Sequence, residues 1–187
     1  MTDRAEQSRR ELIDRLGLDS MIATDPLAVT CTVKTSPETV WMAIERSGNL
    51  TDIHPFCAEN PVERWPGEDG RDEVHYYSGL VYERDVLTWR EGLGYDLAVG
   101  PPAGKLAIAR WLIEPLADNR CDFTIEVTSF ARADVPAERR EAYISEVIRR
   151  QIPPYLNGVV RGVAHFAETG EPVRRNQFGA HPIYSPG

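Results

Sequence analysis

The stretch from Pro136 to Thr169 constrains the fold more than any other part of the chain. Ile144, Ile148 and Ile152 fall four apart, and Tyr155, Leu156, Val159, Val160, Val163 and Phe166 continue at helical steps. This spacing gathers the apolar residues on one side of a helix. Glu138, Arg139, Arg140, Glu146, Arg149 and Arg150 cover the other side. Pro136 suits a first turn, where a missing N–H is tolerated, and Gly170 suits a C-terminal cap. Pro153-Pro154 removes two donors inside the stripe, which predicts a kinked or split helix. Such a helix must cover an apolar surface, and nearly everything before it reads as strand. The architecture implied is a sheet wrapped round a helix, with space for a cavity between them.

Ahead of that helix the chain alternates short patterns. Residues 4–16 read as a short amphipathic helix with Leu12, Ile13 and Leu16 on its apolar side. Leu27 to Lys34 is strand-like, rich in Val and Thr. Ser36-Pro37-Glu38-Thr39 is a helix start, with Ser36 placed to cap and Pro37 in the first turn. Val40, Trp41 and Ile44 form the buried side, and Asn49 to His54 begins a second short helix that Pro55 stops. Strand candidates follow at short intervals: 61–65, 72–78, 80–89, 93–99, 105–114 and 121–130. Turn clusters such as Pro66-Gly67-Glu68-Asp69-Gly70 and Ala117-Asp118-Asn119-Arg120 separate them. Cys121, Phe123, Ile125 and Val127 alternate with Asp122, Thr124, Glu126 and Thr128, a half-buried strand. Such closely spaced strands imply an antiparallel meander. The segment after Gly170 has no regular period but is too aromatic for a disordered tail. It should lie against the body or against a neighbouring subunit. The expected division is residues 1–26 as an N-terminal helix and connection, 27–170 as the domain and 171–187 as a tail.

Composition narrows the function classes. The chain has 187 residues and a formal net charge of −8. That length favours one domain, and that charge disfavours a nucleic-acid or anionic-membrane partner. No apolar run approaches the about 20 residues of a membrane span, and the first ten residues contain no secretory h-region. Cys31, Cys57 and Cys121 lack metal-ligand spacing and read as reduced thiols, so a cytoplasmic location is expected. Gly100 to Lys105 is one residue short of a P-loop and is followed by Leu106. No zinc-protease, dithiol or nucleophile-elbow motif occurs, so neither metal nor cofactor is expected.

Several stretches resemble the helix-grip fold of the SRPBCC superfamily, which includes START-type lipid carriers, birch-pollen-allergen-type proteins and polyketide cyclase/dehydratase-like proteins. Ser36-Pro37-Glu38-Thr39-Val40-Trp41 resembles its first helix start. Asn49 to Pro55 is similar to the following element, with Ile53-His54-Pro55 where Trp is commoner. Tyr82-Glu83-Arg84-Asp85-Val86 is similar to a mid-sheet strand. The resemblance covers about residues 27–169 and is nearest to the cyclase/dehydratase-like branch. It implies an α+β fold: a curved antiparallel sheet of about seven strands round a long C-terminal helix, with two short helices after the first strand. It also implies a cavity for hydrophobic or aromatic molecules.

Residues that could serve such a cavity follow from strand alternation. His54, at the end of the second short helix, could be a general base or could bond a helix-end carbonyl. Tyr76 is preferred facing inward, as a proton donor or a packed ring. Glu83 and Asp85 share one strand face and Arg84 the other. A buried carboxylate could be an acid or base, and a buried Arg could hold a ligand oxyanion. The other reading of these charges is cross-strand pairing, for example with Arg110. Arg110 is itself a second candidate for an inward cation. Trp89, Tyr95, Trp111 and Phe123 could line a pocket for flat ligands or fill the core. Asp96 is expected to be exposed. Arg84→Ala is expected to weaken ligand binding more than folding.

Three functions fit. The chain could bind a small hydrophobic or aromatic, polyketide-like molecule, with or without cofactor-free cyclase or dehydratase chemistry. It could be a non-catalytic carrier or sensor. It could be a dimerising interaction module whose tail makes the interface and whose cavity is filled.

Overall fold

A computed structural model describes Leu16, Leu18 and residues 20–186, so the helix expected over residues 4–16 lies, but for Leu16, outside the described residues. Nine strand segments form one antiparallel sheet: β1 (Met21–Ala23), β2 (Leu27–Val33), β3 (Cys57–Glu59), β4 (Val62–Arg64), β5 (Arg71–Tyr76), β6 (Val81–Arg90), β7 (Gly94–Gly100), β8 (Ala107–Leu116) and β9 (Arg120–Arg132). They fill seven positions. β1 and β2 both pair with β9 at one edge, and β3 and β4 both pair with β5 at the other. Between the edges, β5 to β9 run as a meander in chain order. β1 and β3, three residues each, show no period that the sequence could reveal.

Two short helices, α1 (Pro37–Glu45) and α2 (Leu50–Ile53), link β2 to β3. The Thr39 N–H donates to Ser36 Oγ at 3.2 Å, as the capping pattern predicts. Val40, Trp41, Ala43 and Ile44 are the buried side of α1. β9 keeps the expected alternation from Cys121 to Val127. It then buries Ser129, Phe130 and Ala131 in succession, where the strand leaves β2 and takes up β1.

The terminal helix is α3 (Ala137–Tyr143), a π-helical turn over Ile144–Arg149 and α4 (Arg150–Thr169). Pro153 and Pro154 lie inside α4 and do not split it. They supply no N–H for the carbonyls four residues back, those of Arg149 and Arg150. The helix changes its hydrogen-bond spacing at that boundary instead, by widening into the π turn. Gly170, with φ of 74°, closes α4 by donating its N–H to the Phe166 carbonyl at 2.8 Å. The tail packs on its own chain. Val173 and Asn176 donate N–H bonds to the carbonyls of Asp52 and Pro55, each at 2.9 Å.

α4 meets the end of α2 without a side chain between them. A Cβ on Gly162 would collide with the Ile53 carbonyl oxygen, and one on Gly158 would sit 2.8 Å from the Phe56 ring. Backbone cannot yield as a side-chain tip can, so Gly162 is the tighter constraint. Alanine there would gain about 1 kcal/mol of helix propensity but would incur an overpacking cost of about 1–3 kcal/mol or more. Gly162→Ala should therefore lower unfolding free energy by about 1–2 kcal/mol in urea titration, against the propensity trend.

Candidate functional site

The concave side of the sheet and the terminal helix enclose a cavity of about 170 Å³. β5 to β9 supply its floor, through residues such as Val74, Leu97, Ala109 and Ile125. The helix supplies its roof from Tyr143 to Val159, α2 one end through Leu50 and His54, and the tail another wall through Ile183 and Tyr184. The lining is mostly apolar. Its polar side chains are five tyrosines, His54, Arg84, Ser129 and the indole of Trp111.

His54 caps the C-terminal end of α2, and Pro55 turns the chain so that the ring points inward, only 4% exposed. Its Nδ1 accepts the Phe56 N–H at 3.2 Å, so Nε2 carries the ring proton and donates it to Tyr155 Oη at 2.9 Å. Tyr76 Oη lies 2.9 Å from the same oxygen. Two phenols hold two hydroxyl protons, and one is used between them. The other has no acceptor among the described residues and is available to a molecule in the cavity. Burial, reinforced by the Arg84 charge, pushes the His54 pKa down to about 3. His54 at neutral pH is thus an orienting donor and too weak a base for proton abstraction. Burial likewise raises the phenol pKa values of Tyr76, Tyr155 and Tyr184, so all three stay protonated.

Arg84 also reaches the lining, but it is already paired. Its Nε and Nη2 donate to the two oxygens of Asp72 at 2.7 and 2.5 Å, across the β5–β6 register. Asn60 Nδ2 adds a bond to Asp72 at 2.9 Å. Both partners are buried, and Arg84 Nη1 has no hydrogen-bond partner among the described residues. The guanidinium lies 5.2 Å from the Trp65 ring and 5.9 Å from that of Trp111. Burial disfavours its charge, but Asp72 more than offsets this and raises its pKa.

The structure divides the remaining sequence candidates. Tyr76 and Trp111 line the cavity with His54 and Arg84. Glu83 and Asp85 face outward, a correction to their candidacy as cavity acids. Alternation along β6 sends Tyr82, Arg84 and Val86 inward, and the carboxylates pair with Arg71 and Lys105 on the convex side, at 2.8 Å and 2.5 Å for the closest contacts. Burial alone would raise the Glu83 pKa, but Lys105 and Arg71 hold it below its usual range. Arg110 is likewise outside, bonded to Asp96 at 3.1 Å and 3.6 Å from Glu126, so it holds no cavity oxyanion. Asp96, expected to be exposed, is covered by Arg90 and Arg110.

Trp89 turns inward because a bulge between Val86 and Thr88 resets the alternation. It stacks on Tyr95 at 5.4 Å and meets Trp41 edge-on at 5.0 Å. Trp89, Tyr95 and Phe123 belong to the core and do not reach the cavity lining. Tyr155 reads in the sequence as one more stripe position, and its hydroxyl was the available signal, because a buried phenol needs a partner. Tyr184 lies in a segment without period, and nothing local marks it.

Together these features define a helix-grip protein: a curved antiparallel sheet closed by a long C-terminal helix over an internal cavity. Solved structures share the fold. A putative protein of the dynemicin biosynthetic locus, DynU16, superposes with a TM-score of 0.59 at 16% identity, over 81% of this chain and 50% of that one, so this chain spans half its length. A protein of unknown function from Staphylococcus aureus gives 0.65 at 12% identity, over 80% and 96% of the two chains. Norcoclaurine synthase from Thalictrum flavum, solved with dopamine and hydroxybenzaldehyde, gives 0.59 at 10% identity, over 79% and 87%. No family model and no curated protein sequence matches. Among the described residues, no helix is long and apolar enough to cross a membrane.

Two predictions come from these charges. Arg84→Ala strands a buried carboxylate, so it should cost about 3–5 kcal/mol of stability, the reverse of the expectation that binding suffers first. Pairing Arg84→Met with Asp72→Leu should recover most of that loss in the same denaturant assay. For His54 the unfolded ring titrates near its ordinary 6.5 and the folded ring near 3. The stability from burying it neutral is complete above pH 6.5 and falls by about 1.4 kcal/mol per pH unit below that. Chemical denaturation from pH 7 to pH 4 should show this slope, and His54→Gln should make it shallower.

Proposed function

We propose that the protein binds a small, single-ring aromatic molecule carrying a hydrogen-bond acceptor, in the cavity between the sheet and α4. The observation that carries this reading is an apolar internal space with a phenol proton, from the Tyr155–Tyr76 pair, left without an acceptor among the described residues. Size sets the ligand class. A dry apolar cavity of about 150 Å³ accepts one benzene ring, whereas drug-sized ligands need about 300 Å³ or more. At about 170 Å³ the space suits one substituted ring and is small for a polycyclic polyketide. The hydroxybenzaldehyde bound by the norcoclaurine synthase neighbour is a ligand of that size class.

Binding is favoured over cyclase or dehydratase chemistry. Proton abstraction needs a base, and none of the described lining residues is a carboxylate or lysine, while His54 is held non-basic. A carrier or sensor role needs only the apolar walls and one orienting donor. An open cavity also counts against an interaction module with a filled core, and the tail lies along its own domain.

Benzaldehyde carries a carbonyl acceptor on the ring where toluene carries a methyl group. Calorimetric titration should show benzaldehyde binding about fivefold to tenfold more tightly, the worth of one net hydrogen bond of about 1 kcal/mol. The Tyr76→Phe/Tyr155→Phe double variant should lose that preference. Failure of the native protein to bind either ring saturably, or equal affinity for both, would remove the proposal.

A further inference from the structure

Residues 171–186 contain no helix or strand, yet His181, Tyr184 and Ser185 are as buried as the core. The segment is pinned to three elements around one side of the cavity. Val173 and Asn176 bond to the end of α2 and to Pro55. His181 Nδ1 accepts the Ile183 N–H, so its Nε2 donates to the Gln151 carbonyl of α4 at 3.0 Å. The Tyr184 carbonyl accepts the Ser78 N–H from the β5–β6 turn at 3.3 Å. A short internal lock, Ser185 Oγ to Asn176 Oδ1 at 2.6 Å, holds the loop in shape.

All of this places one ring. Tyr184 is 6% exposed and lies 4.5 Å from both Tyr76 and Tyr155, the two phenols that orient a ligand, and 4.9 Å from His181. The wall beside the phenol pair is therefore built by the tail. The sheet and the helix do not close the cavity at that point by themselves.

We infer that Tyr184 is a specificity-determining residue that shortens the cavity, so that single-ring ligands are accepted and fused bicyclic ones are refused. This rests on the proposed binding of an aromatic ring and adds the residue that sets its length. Removing the ring leaves a space of one phenol beside the Tyr76–Tyr155 pair. A second fused ring would extend into it while the carbonyl keeps its donor. The tail's other anchors, at Val173, Asn176 and His181, stay in place in such a variant.

The test is the affinity of benzaldehyde and of 2-naphthaldehyde for the full chain and for Tyr184→Ala and Tyr184→Phe, with thermal melting as a check of folding. The native protein and Tyr184→Phe should bind benzaldehyde and bind 2-naphthaldehyde at least tenfold more weakly. Tyr184→Ala should bind 2-naphthaldehyde at least tenfold more tightly than the native protein does. If Tyr184→Ala melts below the assay temperature, Tyr184→Leu, which keeps an apolar contact, takes its place with the same expected direction. A native protein that binds benzaldehyde, with a naphthaldehyde-to-benzaldehyde ratio unchanged in the folded variant, overturns the role of Tyr184 and leaves the cavity reading standing. Equal native affinity for the two aldehydes does the same. No binding of either aldehyde to any form overturns both.

Discussion

The contact on which the rest of the structure depends is the glycine seam between α4 and the end of α2. Gly158 and Gly162 bring the helix backbone against Phe56 and the Ile53 carbonyl, and the buried residues of α4 cluster there, from Leu156 to Ala164. At the other end, α3 buries no residue at all, and Ile144 and Ile148 of the π turn pack in a separate small cluster with Ala131. The helix is thus clamped by the main core at its C-terminal half and touches the sheet through a smaller cluster at its N-terminal half. A curved sheet cannot follow both. The space left over is the cavity, so its existence is a consequence of where close packing is permitted, and its size of where the helix begins to diverge.

Within that space the electrostatics favour stillness over proton traffic. Arg84 and Asp72 neutralise one another, and the pair is fixed by cross-strand register and by Asn60. A buried pair of this kind contributes little net stability but is costly to break, so Arg84 behaves first as part of the fold. Its charge also acts at a distance, helping to keep His54 neutral. A neutral His54 with Nδ1 occupied has one tautomer, and its Nε2–H donates to Tyr155, so neither phenol proton is spent on the imidazole. A backbone N–H two residues beyond the imidazole thus keeps the second phenol proton of the pair free of the ring.

The fold was largely legible because it rests on periodicities. The helical stripe, the Ser36 cap, the Gly170 cap and the alternation of Cys121 to Val127 all act over short range, and each appears in the structure. The division of strand faces was legible only where alternation is unbroken. Arg84 and Trp111 follow it, while the bulge after Val86 turns Trp89 inward on a strand whose sequence places it with Glu83 and Asp85. Alternation alone does not decide whether Arg110 or Trp111 points inward, and cross-strand partners do: Asp96 and Glu126 hold the Arg outside. The site was legible least. It combines Tyr155, which periodicity alone classes as apolar, with Tyr184, which has no neighbours in sequence to betray its burial. Long-range contacts made by single residues leave no local pattern.

That the tail walls one side of the cavity separates two properties that the helix-grip architecture would otherwise tie together. The sheet and α4 carry the main core cluster, and their geometry is fixed by the glycine seam and the aromatic stack from Trp41 to Phe123. Changing ligand size by altering those elements would disturb the core, where even one methylene is felt. A wall supplied by an irregular segment, which contributes Tyr184 and Ile183 to that cluster but lies outside the sheet register and the helix, can change in shape with less disturbance. Tyr184 and Ile183 are therefore positions at which the cavity can change its size and shape while the phenol pair and the buried ion pair stay intact.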